Sequence, residues 1–312
     1  MKSTKSQIKH RPLRKNLFKQ NIAFFLLSAP AIVWIICFRY LPMFGVVIAF
    51  KDYNYADGIF GSPWVGLKYF EYFFSSKDLS VIMRNTLSYQ LFFLLTGQVA
   101  PAFVALCLYE VNKKTAKAYQ TMMILPNFIS WVLVAYIVYA LLSHETGIIN
   151  SILKSLGGEA IMWYSEPKYW PVILILFNFW KDTGMSSVLY YATLCSIDSN
   201  LFDAAAIDGA NRFKQIIHIS IPAIIPTVCI LMIMAVGGLI SGDFGLFYQL
   251  PRNSGALYSV TDIMATYTYR LLQDGNLSYG SAVGLFQCVV GSALVLTANR
   301  IVKKINHENA MF

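Results

Sequence analysis

The run DAAAIDGANRFKQIIHISIP, Asp203 to Pro222, decides how this chain is read. It is a polar island between two strongly apolar stretches, and its polarity is concentrated rather than scattered. Asp203 to Asp208 consists of good helix formers, with Ser199 or Asn200 available as a cap before them. Gly209 supplies a turn or a helix stop. Asn211 to His218 can then resume a helix, which Pro222 is expected to break. The local physics predicts a short helix, a glycine corner and a second short helix, all outside a bilayer. Ala204, Ala205 and Ala206 put little bulk on the first helix, so its backbone can lie close in a groove of another protein.

Working outward, the rest of the chain is membrane-like. Of its 312 residues 56% are hydrophobic and 13% charged, against roughly 25% charged in ordinary globular chains. Apolar runs follow one another at about Ile22 to Phe38, Leu87 to Tyr109, Met123 to Leu142, Trp170 to Leu194, Ala223 to Gly245 and Gly280 to Ile301. Each approaches the roughly 20 apolar residues that cross a hydrocarbon core of about 30 Å. In lipid the backbone of an open-ended span is satisfied only as a helix. The fold class expected is therefore an all-α integral membrane protein with six transmembrane helices. Pro30 is expected to kink the first span, and whether Met43 to Phe50 continues it past Arg39, Tyr40 and Pro42 stays open. No internal repeat is evident, and one membrane domain, residues 21–302 with the polar loop 195–222, is the economical division.

Charge fixes the expected orientation. The basic arm at residues 1–20, which carries no acid, the 110–120 loop, the 195–222 loop and the tail from Arg300 together hold fifteen Lys and Arg. The opposite loops hold eight, spread over about twice the length. Positive residues mark the cytoplasmic side, so the arm, the tail at 303–312 and the Asp203 island are all expected there. The arm reads as retained, because five more spans follow it and no small-residue cleavage site appears. The net charge of +9 sits at the ends of apolar runs, which argues against a nucleic-acid partner.

The spacing within the island is also that of a known family. An acid, two alanines, three residues, glycine, nine residues, isoleucine, one residue, a branched aliphatic and proline fall at Asp203, Ala204, Ala205, Gly209, Ile219, Ile221 and Pro222. This resembles the cytoplasmic signature of ABC importer permeases, with Asp203 in place of the usual glutamate and Ile221 in place of leucine. The run AxxDGA, Ala205 to Ala210, resembles the sugar-importing branch. So do GSPWVGLKYFEYFF, Gly61 to Phe74, and TDIMATYTYR, Thr261 to Arg270, which are similar to permeases for complex oligosaccharides. The resemblance covers most of the chain. It implies the type I ABC importer permease fold with both termini cytoplasmic. It further implies an ATPase-coupling element carrying Asp203, Ala204, Ala205, Asp208, Gly209, Ala210, Arg212 and Pro222. The partners implied are a second homologous permease, two ABC ATPases that hold the ATP and magnesium, an extracytoplasmic solute-binding protein, an oligosaccharide and membrane lipid.

Ionisable groups at membrane depth default to functional hypotheses. Lys181 lies eleven residues past Trp170, about 16 Å deep at 1.5 Å per residue. Asn178, Lys181, Asp182 and Met185 share a helical face by spacing, and Trp180 beside them offers an apolar ring. Asn178, Trp180, Lys181 and Asp182 are thus pathway candidates, the alternative being that Lys181 and Asp182 pair with a partner subunit or face water. Tyr89, Gln90 and Gln98 on the second span, Asp243 on the fifth and Gln287 on the sixth are further candidates, or polar glue between helices. The loop aromatics Trp64, Tyr69, Phe70, Trp163 and Trp170 can stack sugars or form an interfacial belt.

No GxxxxGK[ST] phosphate loop occurs in the sequence, nor HExxH, nor a carboxylate dyad. The five cysteines and four histidines show no ligand spacing. No catalytic residue, metal site or cofactor of its own is therefore expected. A transporter or channel that works without ATP, using the island as a regulatory docking site, is the competing class. It would need half-repeats or a charged relay through several spans. An intramembrane enzyme is a third, with Lys181 and Asp182 as its chemistry.

Overall fold

The structure, a computed structural model, describes residues 17–305, so most of the basic arm and of the tail lies outside the described residues. Within them the chain is helical throughout, with no strand and a single bridge between Lys51 and Trp64. Five helices are long and apolar enough to cross a membrane: Phe24–Phe50, Asp78–Glu110, Pro167–Cys195, Arg212–Val236 and Leu277–Lys304. Lys113–Phe128 and Trp131–Leu142 meet at an angle of 94° and make a sixth crossing if the pair is one broken span.

One open question closes and three expectations change. The first span continues beyond Tyr40. Its α-helix Leu17–Ile35 passes into a π turn at Ile36–Tyr40 and a 3-10 stretch at Leu41–Phe50, where Pro42 sits among the first residues and loses no needed hydrogen bond. The third span is not one straight helix over Met123 to Leu142. It starts at Lys113 and breaks at Ile129 and Ser130, and the Ser130 side chain caps the second arm by accepting from Leu133 N. The fifth span does not begin after a break at Pro222. A π turn at Ile216–Ser220 joins Arg212–Gln215 to Ile221–Val236, and its wider spiral accommodates the proline ring without ending the helix. The same span stops at Val236, so Asp243 lies in the short connection beyond it rather than on the helix.

The helices pack through small residues where backbones meet, as expected where lipid leaves no hydrophobic drive between apolar surfaces. Gly184 is the tightest case: a Cβ there would stand 1.8 Å from the carbonyl oxygen of Met123. The fourth span therefore lies directly against the first arm of the broken third. The main core gathers Trp170, Leu174, Val134, Val138, Phe247 and Ile263. Trp170, read from the sequence as an interfacial residue, is fully buried, and its indole donates to Trp163 O at 2.7 Å. Trp163 in turn donates to the Asn150 side chain, so these loop aromatics are folded into one another rather than held out. In the 51–84 loop, Tyr69 Oη donates to Asp52 at 2.6 Å, which holds that carboxyl below its ordinary range, with Lys68 assisting.

Candidate functional site

Two places collect the residues singled out in the sequence. The first is the corner made by Ser199–Ile207 and Arg212–Gln215. Its first helix is capped by Asp198, one residue before the expected Ser199, through a bond from Asn200 N. It ends in a paired closure: Ala210 N donates to Ala205 O at 2.9 Å and Gly209 N to Ala206 O at 3.1 Å. Gly209 has φ of 77°, a left-handed conformation that glycine adopts without cost. Asn211 then caps the next turn by accepting from Lys214 N.

The corner is braced from inside. The buried Gln215 side chain donates to Phe202 O and Ala210 O, tying the two helices together. Arg212 Nε donates to Glu110 Oε2 at 2.6 Å, fastening the corner to the end of the second span, while its guanidinium lies over Phe202. Asp203, Ala204, Asp208 and Gly209 are exposed on the outer side, Ala205 and Ala210 half-buried, and Pro222 is exposed in the first turn of the helix that follows. Ile207 is 87% and Phe213 70% exposed. The corner is thus a preformed shape, closed by its own caps, that presents two apolar side chains and two carboxylates.

The second place is a polar cleft of about 330 Å³ between the second span, the fourth span and the broken third. It brings together Asn178, Asp182, Gln98 and Asp243 from the sequence candidates, and Met185 with them. Asn178 Nδ2 donates to Asp182 Oδ2 at 3.0 Å, one turn apart on the same face. Gln98 Oε1 accepts from Tyr190 at 2.5 Å. Asp243 Oδ2 accepts from Trp131 Nε1 at 3.0 Å, and its Oδ1 accepts from Leu246 N. The cleft also holds Gln90 and Asn127, with Phe93 and Phe179 as apolar walls. Asn127 carried no signal beyond being polar beside Pro126 in an apolar run.

The remaining candidates lie elsewhere. Lys181 is 7% exposed and turns away from the cleft. Its ammonium donates to the carbonyls of Pro126, Asn127 and Ile129 at 3.2, 2.9 and 2.5 Å, and stands 5.2 Å from the Trp131 ring. These carbonyls lie at the helix end where the third span breaks; that of Pro126 also accepts from Ile129 N, and those of Asn127 and Ile129 are left for the ammonium. Shared spacing thus puts Asn178, Asp182 and Met185 on the cleft, while the amine of Lys181 is drawn off to the helix end. Trp180 is edge-on to Phe177 and outside the cleft. Tyr89 is buried in the main core against Phe247. Gln287 donates to Thr268 and lines a separate cavity beside Gly237 and Gly291. Among the described residues, no group of three or more His, Cys, Asp or Glu is placed to hold a metal ion.

Residues 97–306, well over half of the chain, match the family described as "Binding-protein-dependent transport system inner membrane component". The chain is 36% identical over 286 residues to the polygalacturonan/rhamnogalacturonan transport system permease protein YteP of Bacillus subtilis, covering 91% of this chain and 88% of that one. It superimposes with a TM-score of 0.84 and 33% identity on a chain of a bacterial ABC transporter involved in the import of the acidic polysaccharide alginate, over 93% of this chain and 98% of that chain. In a second structure, of a bacterial alginate ABC transporter in complex with an alginate pentasaccharide-bound periplasmic protein, the TM-score is 0.81 at 34% identity, with the same coverage. The helical fold with five or six membrane crossings, the self-capped corner and these likenesses agree: this chain belongs to the membrane-spanning permease components of binding-protein-dependent ABC transport systems.

Proposed function

We propose that the chain forms half of the translocation pathway of a bacterial plasma-membrane importer for an oligosaccharide. A second, similar permease supplies the other half. Two ATPase subunits bind ATP and magnesium and dock on the Ser199–Gln215 corner, and an extracytoplasmic solute-binding protein delivers the sugar. Both termini and the corner then face the cytoplasm, in keeping with the fifteen-to-eight split of Lys and Arg. The saccharide assignment rests on the likeness to YteP and to the alginate transporter.

The observation that carries the coupling role is the corner itself. A helix end of this size, capped by its own residues and with Ile207 and Phe213 outward, is shaped to enter a groove. Closure of the ATPase dimer would favour one arrangement of the two permeases through contacts that the corner makes in that state alone. Asp203, exposed on the outer side, would meet a basic group of the ATPase; its side chain reaches about 1.3 Å less than the family's usual glutamate.

The test is the whole complex purified in mild detergent and reconstituted with candidate pairs of binding protein and sugar. A co-purifying second permease and ATPase, with hydrolysis stimulated by one loaded binding protein, is the expected result. Asp203→Ala and Gly209→Pro are expected to insert normally yet separate ATP hydrolysis from uptake. Normal transport by a well-expressed Gly209→Pro variant would refute the docking role of the corner.

A further inference from the structure

The cleft between the second, third and fourth spans carries an electrostatic bias that narrows the substrate. Its lining contains two carboxylates, Asp182 and Asp243, and no lysine, arginine or histidine. The nearest cation, Lys181, is buried with its three donors committed to the carbonyls of Pro126, Asn127 and Ile129. A group entering the cleft therefore meets two negative charges that no lining side chain neutralises.

The free hydrogen-bonding capacity has the same character. Asp182 uses Oδ2 to accept from Asn178, and Oδ1 carries no bond within the described residues. Gln98 spends its carbonyl on Tyr190, which leaves its amide nitrogen to donate. Gln90 Nε2 is buried with no partner in the chain. Asn127 gives its backbone carbonyl to Lys181 and keeps its side-chain amide at the cleft. Carboxylate acceptors and amide donors between the rings of Phe93 and Phe179 match the hydroxyls and C–H faces of an uncharged sugar. A sugar carboxylate would sit beside Asp182, where like charges at hydrogen-bonding range repel.

We infer that this cleft is a subsite for uncharged saccharide units and that Asp182 excludes carboxylated ones, such as uronates. This rests on the saccharide reading given above. The named cargoes of YteP and of the solved transporter are acidic polysaccharides, so this selectivity sets the chain apart from both, and the binding test below decides it.

The experiment uses the complete transporter in nanodiscs without its binding protein, so that no other selectivity intervenes. Direct binding is measured for matched trimers that differ only in charge: glucose against glucuronate, galactose against galacturonate, mannose against mannuronate. At least one neutral trimer is expected to bind, with its uronate partner weaker by about tenfold or more, the scale of a single like-charge contact. Asp182→Asn, which keeps the shape, should shrink that gap to a few fold, and Asp182→Glu, which keeps the charge, should preserve it. Equal or tighter binding of a uronate to the wild type overturns the inference while leaving the saccharide reading standing. A gap unchanged in Asp182→Asn overturns the role of Asp182. Binding of no trimer of either kind overturns the saccharide reading and the inference with it.

Discussion

The corner at Ser199–Gln215 and the break at Ile129–Ser130 both interrupt helices, and they finish the loose ends in opposite ways. At the corner every cap is local. Asp198, Gly209 and Asn211 each act within three residues of the groups they satisfy. At the break Ser130 caps the second arm locally, but the carbonyls of Pro126, Asn127 and Ile129 accept from Lys181, more than fifty positions along the chain. Local caps make an element that holds its own shape while its outer face stays free for a partner. A remote cap ties two spans to each other and makes the break depend on the packing around it.

Substitutions can break this contrast. Lys181→Met is expected to have the largest effect, a loss of about 3 kcal/mol, since it strips buried carbonyls of a charged donor at a depth where no water replaces it. Unfolding in mixed micelles would measure it, and Lys181→Arg should recover part of the loss. A Lys181→Met protein as stable as the parent would mean that the break is held by something else. Gly209→Ala should cost about 1 kcal/mol, the penalty for a side chain in the left-handed region, because nothing lies within 4 Å of the added carbon. Its effect should stay within the corner, visible as faster amide exchange at Ala210 while the spans keep their protection. Smallest is the pair Arg212–Glu110. A double-mutant cycle should give under about 1 kcal/mol, because both side chains are partly exposed. A larger coupling would show that the corner is not self-supporting and leans on the second span.

The same contrast explains what could be read from the sequence. The glycine corner was legible because its cause, a left-handed residue after a helix former run, is contained in six residues. The polar face of the fourth span was legible from spacing, and Asn178, Asp182 and Met185 do share the cleft. The partner of Lys181 was not, because nothing near Lys181 records that a span far upstream bends by 94°. Nor was the passage of the helix through Pro222. Proline forbids a regular helix, and whether a π turn absorbs it is decided by packing rather than by propensity. Asp243 was placed on a span because its neighbours are apolar. Its role as acceptor for Trp131 appears only once the broken span and the connection after Val236 are brought together. Glu110 and Gln215, which brace the corner, carry no local signal at all.

The π turn before Pro222 has a mechanical consequence. Had the chain broken there, the corner would hang from a hinge, and a push on it would be absorbed in a few loose dihedrals. Instead Arg212–Val236 is one rod of 25 residues, about 37 Å long at 1.5 Å per residue. Its near end is tied to the first helix of the corner through Gln215 and to the end of the second span through Arg212, and its far end stops at Val236, beside the cleft-lining Ala235 and seven residues before Asp243. A tilt of a few degrees at the corner would therefore arrive at the cleft as a displacement of an ångström or more. The stroke is set by the length of the rod rather than by the strength of any single contact.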